Sequence, residues 1–185
     1  LMSGVPDRRK AFVMGIVGGI VGAYVMRYYT RKVIPVIFPR ALRPADDNLQ
    51  PDLLEQYALI PRQYEDGETP FQAAGRIAYK SLTGVEPRSE ETRTLLGDLV
   101  EWSYLITAGA AYGATRTTTR WRDLSGTLFM GLRMWGGDEI IAPLLGLRAG
   151  YTRFTPEQHA VLLSAYWVFT AVMTNLTRIL YRLFA

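Results

Sequence analysis

Charge-free runs organise this chain. Ala11–Met26, AFVMGIVGGIVGAYVM, is flanked by Arg8-Arg9-Lys10 on one side and by Arg27, Tyr28 and Tyr29 on the other. At about 1.5 Å per residue these sixteen residues reach roughly 24 Å, and snorkelling arginines and interfacial tyrosines extend that toward a hydrocarbon core of about 30 Å. Ala160–Thr177 is uncharged over eighteen residues and is the clearest full span. Leu99–Ala114 is apolar except near Glu101. Leu124–Leu147 is apolar but interrupted by Arg133 and by Trp135-Gly136-Gly137-Asp138-Glu139. The pattern predicts an all-α membrane protein, a bundle of about four transmembrane helices. The spans fall at about 11–29, 97–115, 124–147 (broken, with bends at Gly136-Gly137 and Pro143) and 157–180.

Shorter signals fill the intervals. Val33–Pro39 is too short to span and holds two prolines, so it is expected in the interface or against the bundle. An extramembrane loop covers about 40–90, with a short helix near Pro51–Tyr57. Thr69-Pro70-Phe71-Gln72 reads as a helix start: N-cap Thr, Pro at the first helical position, Gln at the third. Phe71, Ala74, Ile77, Ala78 and Leu82 then share a face up to Gly84, which predicts an amphipathic helix lying on the membrane surface or covering the bundle. Thr155-Pro156-Glu157-Gln158 repeats the start signal, Ser89-Glu90-Glu91 opens another helix, and Asp123 can cap the one that follows it.

Two sets of residues stand out within the spans. Gly15/Gly19 and Gly18/Gly22 form overlapping small-xxx-small pairs, which allow two helix backbones to approach closely; they predict packing against another helix of the same chain or a dimerisation face. Arg133, Asp138 and Glu139 sit in or beside an apolar helix, where a lone charge is costly, so they should pair or face water. Glu101 and His159 are candidate partners. The five residues make either a structural polar cluster where a helix breaks or a proton or ion relay.

Composition removes other chemistries. Among 185 residues there is no Cys and one His, which excludes disulfides, thiolate metal sites, Cys nucleophiles and His-rich metal sites. No nucleophile–base pair or phosphate loop is present, no catalytic or metal-ligating set is assigned, and no motif identifies a cofactor. Basic residues exceed acidic ones, 21 to 17. They flank apolar blocks, which fits anionic lipid headgroups rather than nucleic acid. The first apolar run lacks a small-residue cleavage site before Arg27, so it is expected to be retained. Four spans put both termini on one side, and the loop charges favour the cytoplasmic side weakly.

The stretch Gly126–Leu147 resembles the YagU-like bacterial inner-membrane proteins. Asp138, Glu139, Pro143, Gly146 and Leu147 match that family's pattern after its Gly-rich third helix, and Ala108–Ala114 looks like its Tyr-Gly motif in the second. The similarity covers about Phe71–Arg182. A His-Trp pair of the family's second helix stands here as Glu101-Trp102. The resemblance implies an inner-membrane location and no known activity. The expected role is a non-enzymatic structural or accessory subunit of a larger membrane complex, respiratory or photosynthetic for example, with the bilayer and other membrane subunits as partners. The alternative is a small transporter or channel using Asp138 and Glu139.

Overall fold

The computed structural model describes residues 7–42, 52–116 and 123–184. Every regular element among them is helical. Two helical stretches are long and apolar enough to cross a membrane, Arg8–Ile37 and Pro156–Leu183. The described chain divides into two compact units, one built from 1–36, 102–132 and 163–185, the other from 37–101 and 133–162.

The first unit interlocks four helical segments. Helix α1, Arg8–Tyr28, is capped by the Asp7 side chain. It continues through a π-turn, Tyr29–Val33, into α2, Ile34–Ile37. The helix therefore does not stop near residue 29, and Val33–Ile37 prolongs it. Later in the chain, α3 is Leu53–Gln56, α4 Pro70–Thr83, α5 Glu90–Thr115, α6 Leu124–Gly136, α7 Ala142–Leu144 and α8 Pro156–Leu183.

Gly15 and Gly19 of α1 lie against Gly109, Leu105 and Ile106 of α5, while Gly18 and Gly22 lie against Met173, Thr177 and Phe169 of α8. One helix thus carries two glycine faces, each turned to a different neighbour in the same chain. The α5 side is reciprocal: a side chain on Gly113 would strike the Ala11 carbonyl, and one on Gly109 would strike the Gly15 carbonyl. Contacts of this closeness give dispersion and polar backbone interactions that do not depend on water.

Threonines join α6 to α8. The Thr127 and Thr174 hydroxyls are 2.7 Å apart, and Thr170 donates to the Thr127 carbonyl at 3.0 Å. At one end of this unit the Asp7 N–H donates to the Tyr181 hydroxyl (2.8 Å) and the Lys10 ammonium to the Phe184 carbonyl. The two described ends of the chain therefore meet.

In the second unit, α4 has the expected start and stop. Thr69 and Gln72 form a reciprocal capping box, and Gly84 closes the helix at φ 76°. Its buried side differs from the one the apolar spacing suggested. Ala73, Gly75 and Arg76 are buried, whereas Ala78 and Leu82 are exposed. The reason is packing: Gly75 and Gln72 lie directly against Leu96 and Gly97 of α5, so the small residues rather than the larger apolar ones set the contact. Arg76 is buried with them because Glu68 receives its guanidinium at 2.8 Å. Helix α3 has its own capping box, Asp52 with Glu55, and Glu55 also pairs with Arg153 at 3.1 Å. Gly146 (φ 66°) seats the chain against the Ile60 and Pro61 carbonyls, and its own carbonyl accepts from the N–H groups of Gln63 and Tyr64.

The segment 124–147 is helical over Leu124–Leu144. Helix α6 ends at Gly136 and passes without interruption into a π-turn, Gly137–Ile141, then into α7. Its first part, to Leu132, belongs to the first unit and its remainder to the second.

Candidate functional site

Glu139 lies on the π-turn, and the sequence explains why. Pro143 has no N–H to give the Glu139 carbonyl, so the α-helical ladder fails there. The Ala142 N–H bonds five residues back to Gly137 instead. A π-turn rotates the residues within it relative to a regular helix. Glu139 ends up buried, 2% exposed, while Asp138 beside it is only half-buried and Ile140 is exposed.

Two groups converge on Glu139. Arg148 gives Nη1 to Oε1 at 3.2 Å and to the Asp138 carbonyl at 3.2 Å. His159, in the first turn of α8, places Nδ1 2.9 Å from Oε2. Neither of those two atoms has an aligned hydrogen bond, and neither does the buried indole N–H of Trp135. The other imidazole nitrogen, Nε2, lies 3.1 Å from the Tyr151 carbonyl. A carbonyl only accepts, so Nε2 carries a hydrogen and the approach of Nδ1 to Oε2 is favourable when one of them is protonated. The ring of Tyr151 stacks on the imidazole at 3.9 Å, and Phe154 meets its edge. Phe154 also lies under the Arg148 guanidinium at 4.2 Å. The result is a buried carboxylate held by one guanidinium and one imidazole, with Tyr151 and Phe154 packed on those two partners.

Of the five residues singled out in the sequence, Glu139 and His159 come together. Arg133 is exposed on α6, Asp138 contributes its backbone carbonyl to Arg148, and Glu101 is half-buried on α5. Arg148 is the member that spacing could not reveal. It is nine residues from Glu139, across the turn made by Gly146.

The first unit holds a second buried ionic cluster. Asp123 caps α6 through the Gly126 N–H (2.9 Å), accepts from Arg116 at 2.9 Å through both oxygens, and lies 3.3 Å from Arg178. The Tyr112 hydroxyl donates to Asp123 at 3.0 Å and accepts from Arg178 Nε at 2.7 Å. Arg178 is 4% exposed and ties α8 to α5 and α6. Arg120 and Arg122, which with Arg116 read in the sequence as a basic loop, lie outside the described residues.

Burial alone would raise the Asp123 carboxyl, but the hydrogen bonds from Arg116, the Gly126 N–H and Tyr112 outweigh it and hold the group well below the ordinary carboxylate range. A carboxyl depressed in the folded state stabilises above its unfolded value, and that stabilisation is lost as pH falls through the folded one. Asp123→Asn is expected to lower stability by about 2 kcal/mol at neutral pH, the scale of hydrogen bonds to a charged group. The difference between the two proteins should narrow as pH drops below the ordinary carboxylate range. Thermal melts in detergent across that pH interval check both parts.

No family model, curated protein or solved structure matches the chain. Nor does any group of three or more metal-binding side chains occur among the described residues.

Proposed function

We propose that this chain is an integral, multi-pass protein of a bacterial inner membrane, related to the YagU-like proteins, and that it serves as a non-catalytic accessory subunit of a larger membrane complex. The observation that carries the reading is the double glycine face of α1, buried against α5 and α8. Such backbone contact is how helices associate where water offers no hydrophobic driving force. Around it, Phe12, Val13, Tyr24, Leu128, Phe129 and Ile179 remain exposed, which suits lipid contact. Alternate segments run in opposite directions, so a membrane passing through this unit puts both termini on one side, taken as cytoplasmic. Its buried ionic groups, Asp123 and Arg178, bond to each other, to Arg116 and to Tyr112.

A second reading, a small proton or ion carrier, draws on one observation: the π-turn that buries Glu139 against His159. π-turns are frequent at functional sites.

Carbonate washing of membranes followed by mild-detergent purification tests the main reading. The chain is expected to stay in the membrane pellet and to purify with stoichiometric membrane proteins. Release by carbonate overturns membrane integration; purification as a self-contained oligomer with ion flux in vesicles overturns the accessory role.

A further inference from the structure

Helix α8 carries an unusual exposed group. Trp167, Asn175, Ile179 and Leu183 are exposed at four-residue multiples, with half-buried Ala171 between the first two. This stripe faces away from the buried side formed by Phe169, Met173 and Thr177. Asn175 sits at the depth of the middle of α1's apolar run. Gly18, the midpoint of Ala11–Met26, lies against Met173 and Thr177, the residues on either side of it. One Asn175 N–H donates to the Ala171 carbonyl at 2.7 Å. A carboxamide has a second N–H and an acceptor oxygen with two lone pairs. On the membrane reading, which this inference takes as its premise, those groups face hydrocarbon, where an unmade hydrogen bond is costly.

We infer that the Asn175 face of α8 is a homodimer interface, its occupant a second copy of the same helix. The carboxamide is self-complementary: across a two-fold axis each oxygen accepts from the other copy's N–H. A closed two-fold contact places the same residue opposite itself, as that exchange requires. Ala171, one turn away, is small enough to let the two backbones approach, and Ile179 flanks the pair with apolar surface, while Trp167 is held at the edge by α6 through its N–H to the Leu128 carbonyl at 3.3 Å. Interhelical Asn bonds are a recognised source of association between membrane helices.

The chain has no Cys, so single substitutions report proximity without background. In carbonate-washed membranes, Ala171→Cys and Ile179→Cys are expected to form disulfide-linked dimers on mild oxidation. Phe129→Cys, exposed on α6, is expected not to. Adding Asn175→Leu to either reporter should weaken the dimer about tenfold, read as the detergent dilution needed to lose cross-linking. Asn175 is exposed, so this variant folds without repacking the core. A monomer at both positions, or dimers indifferent to Asn175→Leu, overturns the interface while leaving membrane integration standing. Cross-links to a protein of different mass overturn the assignment to a second copy. A chain released by carbonate overturns the membrane premise itself.

Discussion

Gly113→Leu and Gly15→Leu are each expected to destabilise the fold by about 3 kcal/mol or more, at the upper end of overpacking effects. A side chain on Gly113 would run into the Ala11 carbonyl, and one on Gly15 into the Gly109 carbonyl. Both obstacles are backbone of another helix, which cannot rotate away as a side chain does. The only relief is to move α1 and α5 apart, and that also strips contact from Gly19 and Leu105. For a chain of this size about 3 kcal/mol corresponds to a fall in Tm of about 10 °C. Gly136→Ala is the matched control. Its Cβ meets nothing within 4 Å and its backbone is helical at φ −63°. There the helix propensity of Ala should give a small gain, about 0.5–1 kcal/mol. Melts of the three variants in one detergent decide the matter. If Gly113→Leu melts like the parent, the close α1–α5 contact does not exist in the protein.

How much of this was legible in the sequence follows from the range of each interaction. Local signals read well. Thr69 with Gln72, Asp123 as a cap and Gly84 as a stop all act within four residues, and the structure places each of them where the spacing pointed. The glycine pairs were also visible, because an i, i+4 pair shares a face whatever it packs against. Which helix met which face was not, since that depends on the arrangement of segments nearly a hundred residues apart.

Two signals were present but unread. Tyr29–Val33 and Gly137–Ile141 are both π-turns, and each is followed by a proline two residues past its end, Pro35 and Pro143. In both cases the amide just before the proline bonds five residues back, next to the hydrogen bond that the proline cannot make. The helix continues past the π-turn in both places, which is how Val33–Ile37 prolongs the first helix. The burial of Arg178 is not legible locally, because its partners lie 55 and 66 residues away. An arginine ending an apolar run looks like an interfacial anchor until Asp123 and Tyr112 are known to lie beside it.

Glu139→Gln is the substitution on which the accessory and carrier readings part. Removing one member of a buried ion pair costs about 3–5 kcal/mol, because the charge left behind is neither solvated nor compensated. Here Arg148 would keep its charge in a setting lined by Phe154, with His159 alongside. The structural role therefore predicts a lower melting temperature and poorer assembly. It also predicts rescue: Arg148→Gln added to Glu139→Gln should restore part of the loss, giving a coupling of at least about 1 kcal/mol in a double-mutant cycle. Asp138→Asn should leave this coupling in place, since Arg148 bonds to the Asp138 backbone carbonyl, which the substitution keeps. A proton relay predicts another pattern. Glu139→Gln would then assemble and melt like the parent, as would His159→Gln, while proton-driven flux in vesicles disappeared in both. Stability and flux measured on these variants, with Arg148→Gln alone to complete the cycle, separate the cases. Normal melting with abolished flux in Glu139→Gln would overturn the structural role assigned to this carboxylate, and a loss of stability rescued by Arg148→Gln would overturn the relay.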